Sequence, residues 1–368
     1  MKVFMQAIWA QLLLTPYIYW RGRQALPASR RWRTPYTILF LLESVLYFTG
    51  YFFYDVLPDN VFIPIMNICN TWYVASLYLT MGLIALEVMR FFIHRYCKFR
   101  IAQPFKTALF FSFIIGVSIL LWKAHRNVAD PAVVHLHVDV PKGSSMRDSL
   151  KVVMVSDIHL GEVIGKKEAE KLVAISNAEH PDMVVIVGDL VDYESRFAEN
   201  EHIENIFKQL EAPLGVYSTY GNHEYRANRI AKERWIRKFS TLLKDSVASP
   251  DNSFYLIGRD DFVNKKRKAL HQLMAGIDTT KPIIVLDHQP WSFAEMRMNR
   301  ADLGLHGHTH NGQLWPYPLV MKWIYECAYG YYRKGGVQHF ISSGYGCAGP
   351  AYRIGTRSEV VVLHIRFK

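Results

Sequence analysis

Long apolar stretches separated by short polar segments dominate the first third of the 368-residue chain. Four such stretches occur before residue 125, at about residues 3–20, 36–54, 72–93 and 107–122. A helix needs about 20 apolar residues to cross the hydrocarbon core of a bilayer, within a range of about 17–25. The second and third stretches meet this length, the first contains polar residues, and the fourth is short but almost free of them. We therefore predict that residues 1–124 form an N-terminal four-helix transmembrane region.

The segments that connect these stretches differ in positive charge. The first and third are basic, with Arg21, Arg23, Arg30, Arg31 and Arg33 in the first and Arg95, Lys98, Arg100 and Lys106 in the third. The second, at residues 56–70, contains no Lys or Arg and is predicted to be a loop. Because Lys and Arg stay on the cytoplasmic side during insertion, the basic segments are expected to face the cytoplasm. The sequence thus predicts a multi-pass protein of a bacterial inner (plasma) membrane whose C-terminal domain is extracytoplasmic, and periplasmic in a Gram-negative cell.

Two carboxylates lie within the predicted spans. At about 1.5 Å per residue, Glu43 and Glu87 are each about 10 Å from the cytoplasmic end of their span, at one level on neighbouring helices. One interpretation is a site for a proton or a lipid headgroup. The other is a protonated, hydrogen-bonded pair between the two helices, and the sequence leaves both interpretations open.

Beyond residue 125 the pattern changes to short apolar runs that alternate with amphipathic segments. Residues 125–149 are predicted to be a linker and first strand, because residues 132–140 alternate with a period of two. Further strands are predicted at residues 151–156, 183–187, 215–219, 282–286, 303–305, 339–342 and 359–365, and helices at 166–178, 203–210 and 228–243. Apolar strands that alternate with helices indicate an α/β domain with a covered sheet, which we place at residues 150–368.

Composition and charge exclude several classes of protein. Hydrophobic residues make up 50% of the chain and the mean hydropathy is +0.02, which excludes a disordered chain or a collagen. The net charge is +11, but the first 130 residues hold 13 Lys and Arg against 5 Asp and Glu. This basic excess therefore reflects membrane topology, and no nucleic-acid partner is predicted. The four Cys residues form no CxxC pair, which excludes a zinc ribbon, and a disulfide between Cys327 and Cys347 is left open.

Polar residues follow almost every predicted strand of the second domain. These clusters span residues 156–159, 188–192, 221–224, 287–288 and 306–310, and each contains Asp, Asn or His. Since ligands of α/β proteins bind at the carboxyl ends of strands, we expect the five clusters to form one site. Mixed Asp and His ligands suit Mn, Fe or Zn, and two ions about 3.5–4 Å apart need a bridging carboxylate. The sequence therefore predicts a two-metal centre.

At this point the chain resembles a known family. The series Asp157-x-His159, Gly188-Asp189-x-x-Asp192, Gly221-Asn222-His223-Glu224, His288 and Gly307-His308-x-His310 resembles the calcineurin-like metallophosphoesterases, with all five blocks in the family's order. The resemblance covers about residues 148–368. It implies an α/β fold in the form of a four-layer α/β/β/α metallophosphoesterase sandwich, here preceded by the four-helix transmembrane region.

The resemblance also implies a role for each motif residue. One divalent ion would be held by Asp157, His159, Asp189 and His310, and a second by Asp189, Asn222, His288 and His308. Asp189 would bridge the ions, for which Mn²⁺ is the first choice and Fe or Zn the alternatives. A hydroxide bridging the ions would attack phosphorus in line with the leaving oxygen. His223 would be the general acid or a clamp on the phosphoryl oxygen, and Asp192 would orient it.

The C-terminal motifs look like those of the membrane-associated phosphodiesterase branch. Relatives there usually have Ser before Gly307 and Gly at position 311, whereas this chain has His306 and Asn311. His306 is expected either to contact the substrate phosphate or to pack behind the site. Arg353, which belongs to the branch pattern, and Trp315 are further candidates for substrate contact.

Two segments have alternative interpretations. The aromatic segment 315–332 is either an interfacial lip through which a lipid reaches the metals or an ordinary packed loop and helix. The basic helix predicted at residues 228–244, which includes Lys232 and Lys244, faces anionic headgroups, the substrate phosphate or solvent.

The predicted function is a membrane-anchored phosphoesterase that hydrolyses a phosphodiester or pyrophosphate bond. Its expected partners are the lipid bilayer and a phosphorylated lipid or lipid-linked substrate of the cell envelope. One alternative is a UDP-2,3-diacylglucosamine hydrolase of lipid A synthesis, which would require a cytoplasmic domain because its nucleotide substrate is cytosolic. The alternative of another class is a non-catalytic membrane receptor or scaffold, although every expected ligand is present.

Overall fold

A computed structural model describes residues 2–53, 56–97 and 102–368. The chain divides into two compact units, residues 1–125 and 126–368. Lys98 and Arg100, two of the charges assigned to the third connecting segment, lie outside the described residues.

The first unit is helical. Its helices are α1 (Lys2–Ala25), α2 (Arg30–Phe52), α3 (Asp59–Cys97) and α4 (Gln103–Ala129), the last of which extends into the second unit. Each predicted apolar stretch lies largely within one helix, but the loop predicted at residues 56–70 is wrong, because α3 already begins at Asp59. The apolar side chains of Phe62, Met66 and Cys69 are buried there, and this packing favours helix over loop.

Two helical segments are long and apolar enough to cross a membrane: Asp59–Ile93 and Gln103–Ala129. The other two helices do not meet that test of length and composition within the described residues, so four spans are not confirmed.

Glu43 and Glu87 have separate partners in this unit. The Gln11 side chain donates a hydrogen bond to Glu43 (Nε2 to Oε2, 2.8 Å), whereas Glu87 forms an ion pair with Arg21. The structure therefore gives each carboxylate a partner on α1. It does not show the bond between Glu43 and Glu87 that one of the two interpretations expected.

The second unit contains two six-stranded mixed sheets. The strands are β1 (Ala132–Val140), β2 (Ser149–Val155), β3 (Met183–Val187), β4 (Val216–Thr219), β5 (Thr241–Leu242), β6 (Ser246–Ala248), β7 (Tyr255–Gly258), β8 (Ile283–Leu286), β9 (Leu303–His306), β10 (Gly330–Lys334), β11 (Val337–Ile341) and β12 (Glu359–Phe367). The first sheet has the order β1-β12-β2-β3-β4-β5 and the second β10-β11-β9-β8-β7-β6. The strands β2, β3 and β4 run parallel in one sheet, and β7, β8 and β9 run parallel in the other.

Helices flank the sheets. They are α5 (Lys166–Ala178), α6 (Arg196–Asn200), α7 (Ile203–Phe207), α8 (Arg229–Ile236), α9 (Leu270–Leu273), α10 (Phe293–Met298) and α11 (Tyr317–Ile324). One buried core joins the facing sides of the two sheets, as Met154 and Val185 of the first pack with Leu286 of the second. A second core lies between the first sheet and α5, and a third between the second sheet and α9 and α10. The α/β class is confirmed, because strands buried on both faces need cover on both sides.

The basic helix predicted over residues 228–244 is shorter than expected. It ends at Ile236, and Lys232 is fully buried, where its ammonium donates to the main-chain oxygen of His223 (2.7 Å). The prediction that Lys232 lies on an exposed basic face of this helix is therefore wrong. The three cysteines whose side chains the structure describes, Cys69, Cys327 and Cys347, are free.

Candidate metal centre

The predicted ligands lie just past the carboxyl ends of five strands. Asp157 follows β2, Asp189 follows β3, Asn222 follows β4, and His288 follows β8. His308 and His310 follow β9. Parallel neighbours end at the same edge of a sheet, so this topology brings residues that are far apart in sequence to one place.

The backbone at the site is unusual. Asp157, His159, Asp189, His308 and His310 have positive φ angles of 53°, 53°, 52°, 72° and 50°. A residue with a Cβ atom pays about 1–2 kcal/mol for this left-handed conformation. Gly188 is also left-handed, and a Cβ atom there would lie 2.6 Å from Nδ1 of His288. Such strain at consecutive strand ends is typical of a functional site.

The ligand atoms form two groups. In the first, Nε2 of His310 lies 3.3 Å from Oδ1 of Asp157 and 3.0 Å from Nε2 of His159. In the second, Nε2 of His288 lies 3.1 Å from Oδ2 of Asp189, with a ligand atom of His308 within 4.8 Å of both.

The two groups are adjacent. Oδ2 of Asp189 is 3.8 Å from Nε2 of His159, and Oδ1 of Asp157 is 3.8 Å from Nε2 of His288. The arrangement thus brings together six of the seven predicted ligands, with Asp189 facing both groups as a bridging carboxylate would.

Buried atoms without partners show that the site fits metal ions. Oδ1 of Asn222 and Nε2 of His288 are buried and make no well-aligned hydrogen bond among the described residues, although Nε2 of His288 lies 3.1 Å from Oδ2 of Asp189. Nδ1 of His288 donates to the main-chain oxygen of Val187 (2.8 Å), so Nε2 is the ring nitrogen that a metal could take once it is deprotonated. Unpaired buried polar atoms are costly unless something binds them. Asp, Asn and His together suit Mn, Fe or Zn, and Asn222, which follows β4, remains the seventh predicted ligand.

The protonation states of Asp157, His308 and His310 suit a divalent ion. Burial alone would raise the pKa of Asp157, but His310 and His288 outweigh it and hold that pKa well below its usual range. Burial lowers the pKa of His308 to about 3 and that of His310 to about 4. At neutral pH the carboxylate is therefore ionised and these two imidazoles are neutral, which are the forms that bind a metal. Neighbouring carboxylates outweigh burial and raise the pKa of His159 to about 9 and the pKa of His288 well above its usual range, so the imidazoles of His159 and His288 must lose a proton when a metal binds.

His223 and Asp192 form a pair beside the ligands. Nδ1 of His223 is 2.7 Å from Oδ1 of Asp192, and Nε2 of His223 is 3.9 Å from Oδ2 of Asp189. The same Asp192 oxygen lies 3.1 Å from Nδ1 of His159. By distance, His159, Asp192 and His223 also form a group that could hold an ion. Asp192 thus contacts the far nitrogen of both histidines and can orient both rings.

The three residues considered for substrate contact lie in different surroundings. His306 is fully buried, with its ring nitrogens next to the main-chain oxygen of Asp287 (2.6 Å) and Nδ1 of His339 (3.2 Å). Arg353 is also fully buried, and its Nη2 lies 3.3 Å from Nδ1 of His310. Trp315 is exposed. His306 and Arg353 therefore lie where they can hold neighbouring residues of the site in position. Substrate contact by His306, Arg353 or Trp315 remains a prediction.

Glu224 was assigned no role from the sequence, and the structure shows that it supports the turns of the centre. Its buried carboxylate accepts hydrogen bonds from four main-chain N–H groups at 2.8–3.2 Å, those of Asp189, Leu190, Val191 and Gly221. A carboxylate in this position fixes the turns that carry Asp189 and Asn222. The sequence signal was an acidic residue directly after His223, in one of the polar clusters that follow the predicted strands.

Comparison with known proteins agrees with this geometry. Residues 150–312 match the family model described as calcineurin-like phosphoesterase. An uncharacterized metallophosphoesterase of Campylobacter jejuni is 31% identical over 261 residues, which cover 69% of this chain and 68% of that protein. A zebrafish (Danio rerio) transmembrane protein with metallophosphoesterase domain is 30% identical over 268 residues, 67% of this chain and 60% of the relative.

A solved structure, a dimetal phosphatase from Danio rerio, matches 60% of this chain and all of its own with 14% identity and a TM-score of 0.37. The chain belongs to the calcineurin-like metallophosphoesterases, a family of metal-dependent phosphoesterases.

Proposed function

We propose that this protein is a membrane-anchored dinuclear phosphoesterase that hydrolyses a phosphodiester or pyrophosphate bond in a lipid or lipid-linked substrate of the cell envelope. The observation that carries the proposal is the convergence of two groups of ligands with unpaired buried atoms at Asn222 and His288. A receptor or scaffold has no need to keep such costly groups at the ends of strained turns.

The residues that would hold the ions fall into two sets that share Asp189. They are Asp157, His159, Asp189 and His310 for one ion, and Asp189, Asn222, His288 and His308 for the other. When bound, two divalent ions stabilise the charge of a transferring phosphoryl group and lower the pKa of water. The chain supplies the rigid strand ends that fix the ligands.

His223 is suited to act as the general acid. Asp192 faces Nδ1 of His223, so Nε2 points toward the ligand groups and can carry a proton to the leaving oxygen. Burial opposes the ionisation of Asp192, but its hydrogen bonds with His159 and His223 keep its pKa below the usual range. The resulting carboxylate contacts Nδ1 of His223 and holds its ring in one orientation.

Membrane attachment supports a lipid substrate. Two helical segments have the length and composition to cross a bilayer, and the zebrafish and bovine relatives are named transmembrane proteins. The basic first and third connecting segments favour an extracytoplasmic α/β unit at the inner membrane of a bacterial cell. An enzyme attached in this way meets a substrate that is itself embedded in the membrane.

The direct test is hydrolysis by the purified full-length protein with Mn²⁺ and bis-p-nitrophenyl phosphate. We expect turnover by the wild type, loss of both bound metal and turnover in Asp189→Asn, and loss of turnover with metal retained in His223→Ala. Equal, slow product release by the wild type and His223→Ala would contradict a catalytic role.

Two further measurements address substrate and orientation. Mass spectrometry of a lipid extract incubated with the wild type should show a consumed phospholipid that remains intact with Asp189→Asn. Reporter fusions after His125 should report an extracytoplasmic location. A cytoplasmic location would contradict the proposed topology and favour hydrolysis of UDP-2,3-diacylglucosamine.

A further inference from the structure

The helix α11 leaves its apolar side chains in solvent. None of its eight residues is buried, and the exposed fractions of Trp323, Leu319 and Ile324 are 91%, 59% and 49%. Soluble surfaces rarely expose large apolar side chains in a contiguous group unless that group binds something. An eight-residue helix is also marginal in water by itself, so a partner that covers it would stabilise it.

This helix lies beside the metal centre. It begins seven residues after the ligand His310, and the next residue after it, Tyr325, packs its ring 6.2 Å from that of the ligand His308. Tyr325 also packs against Trp291, three residues after the ligand His288, at a ring distance of 4.4 Å. At about 1.5 Å per residue the helix is about 12 Å long, so its apolar side chains lie close to the site.

The composition of the segment suits a bilayer interface. Residues 313–325 contain two Trp and two Tyr, the side chains enriched at headgroup level, and Lys322 is their only charge. A single cation and no anion is compatible with the anionic headgroups of a membrane surface. The chain also contains a segment that can attach it to a membrane. This segment is α4, and only two residues separate it from β1.

A second copy of the chain is a weaker candidate for the partner. A stable protein interface uses about 20–30 residues on each side. The helix has only eight residues, or about two turns. An interfacial helix needs only to bury its apolar face about 5–10 Å into the headgroup boundary. The size of the surface therefore favours lipid.

We propose that α11 inserts into the bilayer interface and delivers a membrane-embedded phosphoester to the metal centre. The partner is the lipid surface itself, and the substrate role of this helix rests on the proposed function. The insertion of the helix does not depend on catalysis, so the two can be tested separately.

Insertion can be measured by the depth of a spin label in the full-length protein. The protein carries Cys97→Ser and Cys327→Ser and is placed in nanodiscs of phosphatidylethanolamine and phosphatidylglycerol at 3:1. A label at Trp323→Cys is expected to collide with dissolved oxygen more than with a water-soluble nickel chelate, at a depth of about 5–10 Å. The matched control is Ile230→Cys, because Ile230 is an apolar residue of another helix, α8, and is 67% exposed.

Two results would overturn the proposal. One is a label at 323 that is as accessible to nickel as the label at 230. The other is a label that neither reagent reaches and that shows dipolar broadening from a second label, which would assign the surface to a second copy.

The substrate role is tested by two phosphodiesters. Trp323→Glu and Leu319→Glu should lower kcat/KM about tenfold or more for hexadecyl p-nitrophenyl phosphate in vesicles, because each removes an apolar side chain that would insert into the lipid. Both variants should hydrolyse soluble bis-p-nitrophenyl phosphate at the wild-type rate, as should Ile230→Glu with either substrate. Equal loss on both substrates would contradict delivery by this helix. No hydrolysis of either substrate by the wild type would refute the proposed function and leave the depth result unaffected.

Discussion

Both units of the chain bury polar side chains among apolar ones, and the partners of those side chains differ. In the helical unit, Gln11 donates to Glu43 and accepts from Thr15 and Trp72 at 2.8–3.1 Å. One oxygen of Glu43 is the exception, since it has no partner among the described residues. This cluster joins α1, α2 and α3 through ordinary rotatable side chains.

At the metal centre the polar groups lie on strained turns. Five of the predicted ligands have left-handed backbones, and Asn222 and His288 each keep a buried atom that makes no well-aligned hydrogen bond among the described residues. The first cluster is organised to stabilise the fold, whereas the second keeps unfavourable features that only a bound group would compensate. Four substitutions test this difference, from the largest expected effect to the smallest.

Asn222→Ala should have the largest effect on activity. It removes an unpaired ligand oxygen, so we expect loss of one of two bound ions and a decrease in kcat/KM of about 10³-fold or more. Removing an unsatisfied buried group is close to neutral for folding. The metal-free variant should therefore unfold at the wild-type temperature or above, as measured by calorimetry in EDTA, with bound metal counted by elemental analysis. A variant that keeps both ions would show that Asn222 is not a ligand.

Asp192→Asn should have the next largest effect. The amide cannot replace the carboxylate that contacts Nδ1 of His223 and orients its ring, so kcat should fall about 10²–10³-fold while both ions remain bound. A changed pH profile for kcat would distinguish this role from simple misfolding. Loss of metal in this variant would instead make Asp192 a ligand, as its position beside His159 and His223 permits.

Glu224→Gln should mainly reduce stability. The amide offers one acceptor where the carboxylate accepts from four N–H groups, and hydrogen bonds to charged groups contribute about 1.5–3 kcal/mol each. We expect a loss of about 3 kcal/mol, which lowers Tm by about 6–12 °C for a unit of this size. The control is Glu170→Gln on the exposed side of α5, which should change stability by less than about 0.5 kcal/mol. Equal Tm values for the two variants would show that the turns are stable without the carboxylate of Glu224.

The sequence predicted those parts of the fold whose signal is local. The amphipathic run at residues 166–178 and the apolar run at 183–187 match α5 and β3 residue for residue. Asp157 and Asp189 were found because each directly follows an apolar strand, and parallel topology carries such positions to one edge.

Features that depend on distant residues could not be predicted. The two-residue strand β5 has no periodic pattern and exists because Tyr217 and Ser218 pair with it. Lys232 has the pattern of an exposed cation, and it is buried because its partner is a main-chain oxygen nine residues away. The role of Glu224 depends on N–H groups about 35 residues earlier in the chain, which no local pattern reveals.

Gln11→Leu should have the smallest effect. It removes the centre of the polar cluster in the helical unit, and such bonds between helices in membranes contribute on average about 0.6 kcal/mol and at most about 2 kcal/mol. We expect the buried thiol of Cys69 to be alkylated a few-fold faster in the full-length protein, as resolved by mass spectrometry, because α1 to α3 open locally more often. Leu13→Ala, at an exposed position of the same helix, is the control and should leave the rate unchanged. Bound metal and hydrolysis of soluble substrate should stay at wild-type values in both variants. A fall in metal content with Gln11→Leu would break the distinction between the two units, because it would tie the polar cluster of the helices to the strained centre of the sheets.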